Sequence, residues 1–120
     1  MKRAYRLRKP DQFQRARRSG RSWSSTLVAL NAVRNNRRIT RCGFVTGKRI
    51  GKAVERNRAR RRLREVARLA YHQIACGWDL VFVVRSPAVA TVAFTELQTT
   101  VEQLLQRAGL WCDPPRTPNG

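Results

Sequence analysis

The chain has 120 residues and a mass of 13.8 kDa, a size that predicts one domain with a modest hydrophobic core. Hydrophobic residues make up 42% of the sequence, which excludes a wholly disordered basic tail. Lys and Arg number 26 against seven Asp and Glu, a net charge of +19, so the expected partner is a polyanion and above all a nucleic acid.

The positive charge is concentrated in the first part of the chain. Residues 1–68 contain 23 of the basic residues and three acids, a net charge of +20, whereas residues 69–120 carry a net charge of −1. A surplus that served only solubility would be scattered along the chain. The observed placement therefore favours a binding surface.

The cysteines and the chain start indicate the compartment. Cys42, Cys76 and Cys112 are far apart, and no CxxC pair or zinc-type spacing is present, so reduced thiols in a cytosolic protein are expected. The first residues are charged and not apolar, so no secretory signal is expected. The longest apolar run, 80–84, is too short to cross a bilayer. We therefore expect a cytoplasmic protein.

The first half of the chain predicts one short helix and two strands. The helix spans about 10–18 and stops at Gly20. A first strand is predicted over 23–34, which contains a Leu-Val-Ala-Leu run. A polar turn at 35–38 leads to a second strand over 39–46, which we expect to run antiparallel to the first.

The longest predicted element is a helix over about 52–75. Its apolar residues recur at helical spacing and form one stripe: Ala59, Leu63, Val66, Ala67, Ala70 and Ile74. A third strand over 78–85 has an unbroken apolar centre, which indicates burial on both faces. A last helix follows over 93–108. Helices on a small sheet predict an α+β fold, with one domain over 1–110 and a disordered tail over 111–120.

The long helix begins with an arginine-rich segment, RNRARRRLR at 56–64, in which six of nine residues are arginine. At 100° per residue, several polar side chains gather beside the apolar stripe: Asn57, Arg60, Arg61, Arg64 and Arg68. Guanidinium groups pair bidentately with phosphate or base edges and stack on bases, so this face predicts nucleic-acid binding. The alternatives are a solvated helix face or a basic targeting signal. Both are disfavoured because only Glu55 and Glu65 lie nearby as partners.

The connection before this helix, GKRIGK at 47–52, combines two glycines with cations. It resembles a phosphate cradle in which Lys48 and Arg49 contact a nucleic-acid backbone, and the alternative is a flexible connector. The GxxxxGK[ST] spacing is absent, so nucleotide hydrolysis has no support. Phe13 and Phe44 could stack on single-stranded bases, with core packing as the alternative for each.

The acidic residues are dispersed and His72 stands alone, so neither a carboxylate pair nor a metal cluster is predicted. The sequence therefore predicts a nucleic-acid-binding protein without an active site of its own. Other classes stay open at this point: a structural RNA-binding protein of ribosomal-protein type, a protein-only nuclease and a DNA-binding protein. The nuclease would need clustered carboxylates or a histidine–metal arrangement, and no dimer signal supports DNA binding.

One long segment resembles a known signature. The run GFVTGKRIGKAVERNRARRRLRE at 43–65 is similar to the signature of the bacterial ribonuclease P protein family. The segments around Phe13 and at 79–87 also resemble the first helix and a later strand of that family. The resemblance covers about residues 3–109.

The resemblance implies a fold and an activity. The family folds as a small two-layer α-β sandwich, of a type also found in a ribosomal-protein domain, with a left-handed crossover through the arginine-rich helix where a right-handed one is usual. Its members bind a catalytic RNA, which with Mg²⁺ hydrolyses precursor tRNA to leave the mature 5′ end. The implied protein binds no metal, has no catalytic residue and pairs 1:1 with this RNA.

The resemblance also implies two sets of site residues. Those that would dock on the catalytic RNA are Arg56, Asn57, Arg58, Arg60, Arg61, Arg64 and Arg68. Those that would line or adjoin a cleft for the single-stranded 5′ leader, between the first helix and the sheet, are Phe13, Arg17, Leu30, Phe44, Lys48 and Arg49. Arg17 and Leu30 stand where aromatics are common in the family, which predicts a cleft that relies more on charge than on stacking.

Overall fold

The computed structural model of the chain describes residues 1–116. It contains three α-helices, Pro10–Ser19 (α1), Ala53–Ala70 (α2) and Phe94–Arg107 (α3). It contains four strands, Arg21–Ser24 (β1), Val28–Arg34 (β2), Arg41–Thr46 (β3) and Trp78–Val84 (β4). Short 3₁₀ turns lie at Arg3–Tyr5, Lys48–Ile50, Tyr71–Gln73 and Pro87–Ala90.

The strands form one mixed sheet in the order β1-β2-β4-β3. The pairs β1–β2 and β2–β4 are antiparallel, whereas β3 is parallel to β4. Parallel neighbours need a crossover connection, and α2 provides it. The predicted α+β class is confirmed, and the left-handed direction of the crossover stays a prediction.

Two details of the predicted strands differ from the structure. The single strand predicted over 23–34 is a hairpin of β1 and β2, because the chain turns at Ser25. There the Ser25 N–H donates to the Val28 carbonyl oxygen at 2.9 Å, and the Ser25 Oγ accepts from the Val28 N–H at 3.1 Å. Strand β3 runs opposite to β2, as predicted, but β4 lies between them. The apolar sequence of β4 suits this central position, since both of its faces are covered.

The bounds of two other predicted segments also differ from the structure. The helix predicted over 52–75 is α2 followed by one 3₁₀ turn. The start of the predicted disordered tail, 111–116, packs on the domain: Trp111 forms a β-bridge with Ile74 and lies against the main core. An aromatic ring gains enough from such burial to hold a short segment in place. Residues 117–120 of the predicted tail lie outside the described residues.

The two faces of the sheet carry two separate cores. On one face, Leu30 of β2 and Phe82 of β4 pack with α2 and α3 in the main core. The opposite face carries a smaller core beneath α1, formed by Leu7, Ala16 and Val81. Alternate residues of each strand point to opposite faces of the sheet, so a single strand can contribute side chains to both cores. Since α1 is the one α-helix packed on the second face within the described residues, part of that face stays accessible.

Candidate nucleic-acid interface

Helix α2 separates a buried apolar side from an arginine-rich side. Ala59, Leu63, Val66 and Ala67 are buried, as the helical spacing predicts. Among the predicted docking residues, the exposed ones are Asn57, Arg58, Arg61 and Arg68, and the half-buried ones are Arg56, Arg60 and Arg64. The burial of one side against the core therefore fixes the orientation in which the arginines meet solvent.

Acidic residues neutralise little of this arginine-rich side. Arg68 forms a two-point contact with Glu65, with nitrogen–oxygen distances of 3.0 and 2.5 Å, and this hydrogen bonding lowers the pKa of Glu65. In the described part of the chain, the other docking arginines have no carboxylate within 4.0 Å: Arg56, Arg58, Arg60, Arg61 and Arg64. Arg68 is thus the least available of the predicted set for an added anion.

Arg62 belongs to the same sequence segment but has a structural role. Its Nη1 donates to the Val89 carbonyl oxygen at 2.7 Å, and its Nη2 donates to the Val92 carbonyl oxygen. These bonds tie α2 to the 3₁₀ turn that follows β4. The guanidinium group of Arg62 is therefore engaged with protein backbone, and it was not among the predicted docking residues.

Phe44 lies with the arginines of α2. Its ring stacks on Phe82 with a centroid distance of 5.8 Å, on the side of the sheet that faces α2. It lines an open cavity of about 470 Å³ together with Val54, Asn57, Arg60, Arg61 and Arg64. The structure thus places Phe44 with the predicted RNA-docking set, and a smaller pocket at the edge of β3 also brings Phe44 together with Phe13. An aromatic surface bordered by cations can accept both a base and a phosphate.

Arg6 extends this positive surface along the edge of β3. Its backbone forms a bridge with Cys42, and the next residue, Leu7, donates its N–H to the Cys42 carbonyl oxygen at 2.9 Å. Arg6 and Arg64 each bury an Nε atom that has no hydrogen-bond partner among the described residues. Burial, followed by the charges of Arg6 and Arg60, lowers the pKa of Arg64. A bound anion would relieve this repulsion.

A second candidate surface is the cleft beneath α1. Phe13 lies directly over Gly43, and a Cβ at that glycine would overlap the ring. Helical periodicity places Arg17, which is exposed, on the same side of α1 as Phe13. Arg15 points the opposite way and approaches Asp79 at 3.5 Å. Phe13 and Arg17 therefore face the end of the sheet that lies away from Asp79.

The floor of this cleft consists of residues that the sequence analysis did not select. The half-buried residues on the sheet face toward α1 include Ala29, Asn31, Val33, Val45 and Val83. Leu30 points into the main core with 0% exposure, so its prediction as a cleft residue is wrong. Because strand side chains alternate, a shift of one residue moves a side chain to the opposite face. The apolar alternation of Val28, Leu30 and Ala32 was the signal that Asn31 faces the cleft.

Lys48 and Arg49 lie in the 3₁₀ turn directly after β3, and both are exposed. The glycine next to this turn, Gly51, has a φ of 138°, a conformation that glycine adopts readily. The side chain of Glu55 occupies the space where a Cβ of Gly51 would lie. This carboxylate lies in the first turn of α2, where it complements the helix dipole. A phosphate at that position would meet a negative charge, so the turn is structural while its two cations stay accessible.

The described residues contain no candidate metal centre and no membrane-spanning helix. No group of three or more His, Cys, Asp or Glu side chains within residues 1–116 could hold a metal ion. None of the described helices is long and apolar enough to cross a membrane. The buried Asp79 carboxylate accepts from Arg41 at 2.9 and 2.8 Å and from the Asn35 side chain at 2.9 Å, so it serves as an internal ion-pair partner.

The sequence is similar to a known family over most of its length. The profile of the family described as "Ribonuclease P" matches residues 1–109. A Roseiflexus castenholzii protein named "Ribonuclease P protein component" is 62% identical over 110 residues, which are 92% of this chain and 90% of that protein. A Chloroflexus aggregans protein of the same name is 48% identical over 118 residues, 98% of this chain and 87% of that protein.

Solved structures are similar in fold. The Staphylococcus aureus RNase P protein superposes with a TM-score of 0.79 at 25% identity, covering 91% of this chain and 99% of that one. The Thermotoga maritima RNase P protein superposes with a TM-score of 0.77 at 28% identity, covering 85% and 96% respectively. The mixed sheet and its helices therefore have the arrangement found in those proteins.

Proposed function

This chain belongs to the bacterial ribonuclease P protein family, as the protein subunit of an endoribonuclease of tRNA processing, and on that premise we propose the role of each of its surfaces. The arginine-rich side of α2 docks on the catalytic RNA, in a 1:1 complex in the cytoplasm. The cleft beneath α1 holds the single-stranded 5′ leader of precursor tRNA. The described residues offer no carboxylate cluster that fits Mg²⁺, so the proposal leaves this ion and the hydrolysis to the RNA.

The observation that carries this proposal is the uncompensated arginine surface of α2. Five arginines of α2 have no acidic partner in the described part of the chain, within a segment of net charge +20. Three of them, Arg60, Arg61 and Arg64, line a cavity with Phe44. Guanidinium–phosphate pairs are charge-assisted and often bidentate, so an RNA backbone suits this surface. Bringing catalytic RNA and precursor tRNA together concentrates negative charge, and a strongly basic subunit offsets that repulsion.

The cleft beneath α1 supports the leader assignment on different grounds. Phe13 supplies one half-buried ring, Arg17 supplies a cation, and Asn31 supplies a hydrogen-bonding group on the floor. Lys48 and Arg49 follow the strand that forms one side of this floor. Aromatic faces beside cations bind single-stranded nucleic acid with little sequence preference, because every base has a π-face.

The test is cleavage of a leader-bearing precursor tRNA by the catalytic RNA of the same genome, at limiting Mg²⁺, with and without this chain. We expect strong stimulation, which the triple variant R56A/N57A/R58A loses. The control is R85A/R107A, which also removes two positive charges but outside the α2 surface. No stimulation by a folded chain that still binds RNA would favour the alternative, a structural RNA-binding protein without a role in cleavage. Cleavage by the chain alone would contradict the assignment of the chemistry to RNA.

A further inference from the structure

A basic groove lies beside the N-terminal segment, on the side of that segment that faces away from α2. We propose that this N-terminal groove binds the phosphodiester backbone of the catalytic RNA, as an additional contact that rests on the proposed function. Its volume is about 470 Å³, and one wall is the N-terminal segment while the other is the turn between β2 and β3. The basic residues that line it are Arg3, Arg6, Arg8, Lys9, Arg37 and Arg41.

The wall formed by the N-terminal segment is held in place by backbone contacts. Leu7 is buried in the smaller core with 5% exposure, and its N–H bonds to the edge of β3. The Gln12 Oε1 accepts from the N–H of Arg8 at 3.1 Å and from the N–H of Lys9 at 3.2 Å. The main chain of this segment therefore follows a defined course. Binding of an anion by its cations does not require the whole segment to become ordered, so the entropic cost of binding is lower.

The turn that forms the opposite wall is equally well defined. Asn36 has a φ of 59°, the left-handed conformation that asparagine tolerates better than most residues. The Asn35 side chain donates to the Ile39 carbonyl oxygen at 3.1 Å and accepts from the Arg37 N–H at 2.8 Å. These bonds fix the turn and leave the side chain of Arg37 exposed toward the groove.

The charges of the groove are largely uncompensated. Arg41 is neutralised by the buried Asp79 carboxylate, at a shortest distance of 2.8 Å. The other five lining cations have no carboxylate within 4.0 Å among the described residues. Five positive charges around one groove strongly favour a polyanion, and a phosphodiester backbone supplies successive negative charges along its length.

Continuity with the α2 surface favours the catalytic RNA as the occupant. Arg6 and Arg8 border the N-terminal groove, and they also line a smaller pocket together with Phe44, Arg64 and Phe13. Arg6 lies close enough to Arg64 of α2 for its charge to act on that guanidinium group. The groove and the arginine-rich side of α2 therefore form one positive surface that passes over the N-terminal segment. Phe13 borders that small pocket but does not line the groove itself, and Arg41 of the groove pairs with Asp79, at the end of the sheet opposite to Lys48 and Arg49.

The experiment uses one variant in the groove and one charge-matched control. K9A/R37A removes one cation from each wall and leaves the docking residues of α2 intact. R85A/R107A removes two arginines that donate to the backbone oxygens of Ser25 and Ser24 on another part of the surface. The dissociation constant for the catalytic RNA is measured from 50 to 200 mM monovalent salt at constant Mg²⁺.

We expect K9A/R37A to bind the catalytic RNA more weakly and with a shallower salt dependence. Loss of two phosphate contacts lowers the slope of log K against log salt by about 1.4–1.8, so affinity falls about 7- to 12-fold less across this fourfold salt range than for the wild type. The charge-preserving variant K9R/R37K restores the wild-type slope, and R85A/R107A keeps it. Thermal unfolding of each variant establishes that it is folded.

A wild-type salt slope for K9A/R37A with the catalytic RNA overturns the inference. If the same variant also weakens the binding of precursor tRNA by the assembled holoenzyme, the groove is assigned to the substrate. Failure of the wild-type chain to bind or stimulate the catalytic RNA would instead contradict the proposed function, so the two failures are distinguishable in the same assay.

Discussion

The contact between Phe13 and Gly43 shows how a single residue prepares the cleft. The absence of a side chain at Gly43 lets the Phe13 ring rest on the sheet, where it packs with the smaller core and stays half exposed. A larger residue at position 43 would displace the ring. The aromatic ring is thus positioned by the backbone of β3, which also places Lys48 and Arg49 at the same end of the sheet.

Replacing Phe13 by leucine tests whether this ring binds the leader. Leucine keeps an apolar contact over Gly43 but removes the π-face, so the holoenzyme should lose about 1–3 kcal/mol of its binding free energy for leader-bearing precursor tRNA. The matched control is the same tRNA without a leader, whose affinity should not change. Equilibrium binding to holoenzymes with and without the substitution measures both. An equal loss for the two tRNAs would show that Phe13 acts on the fold or the tRNA body.

The choice between Leu30 and Asn31 as the cleft residue could not be made from the sequence alone. Asn31 and Leu30 are neighbours, and the choice between them depends on which face of β2 meets α1. The sequence predicted one strand over 23–34, so it supplied no hairpin register from which to count. The alternation of buried residues in β2 favours Asn31, but that reading requires knowing that the main core lies beneath α2 and α3.

Helix α2 combines a structural arginine with arginines that are proposed to bind RNA. Arg62 is bonded to two backbone carbonyl oxygens, whereas Arg64 carries a buried Nε without a partner in the described part of the chain and has a lowered pKa. The same residue type thus has two different environments, which sequence composition cannot distinguish. Arg62 and Arg64 are distinguished by where each side chain lies relative to the core.

Alanine substitutions of Arg62 and Arg64 should therefore affect different properties: the stability of the fold in the first case and RNA binding in the second. R62A leaves two carbonyl groups without their donors, so it should lower the free energy of unfolding by about 1–3 kcal/mol and leave the salt slope of RNA binding unchanged. R64A removes a phosphate contact, so it should lower that slope by about 0.7–0.9 with little loss of stability. Urea unfolding and salt-dependent RNA binding measure the two effects. A wild-type slope for R64A would count against direct phosphate contact there.

At the scale of elements, periodicity predicted α2, α3 and the buried strand β4, because each has an apolar pattern longer than its neighbours. The order of the strands in the sheet could not be predicted from periodicity. Sequence neighbours usually pair, yet β4 inserts between β2 and β3 after the α2 crossover. The pairing follows from tertiary burial: the strand with the most continuous apolar run takes a central position.

At the scale of the whole molecule, the net positive charge is confined to one part of the chain, although both parts contribute to the main core. Residues 1–68 carry the net charge of +20 and include α1, β3 and α2, which hold the proposed RNA contacts. The nearly neutral remainder supplies β4 and α3, whose apolar residues fill much of the main core. Charge can therefore be dense on one surface while the core that supports it stays apolar.

This division predicts how stimulation of cleavage depends on ions. Because the proposed contacts are mainly electrostatic, the benefit of adding the chain at limiting Mg²⁺ should be largest at low monovalent salt and should decline steeply toward 200 mM. Substrate held more tightly also occupies the metal-dependent RNA site at lower Mg²⁺, so the Mg²⁺ concentration for half-maximal cleavage should fall when the chain is present. Cleavage rates measured over a grid of both ions test this. A stimulation that does not change with salt would mean that shape and stacking, and not the concentrated charge of residues 1–68, govern assembly.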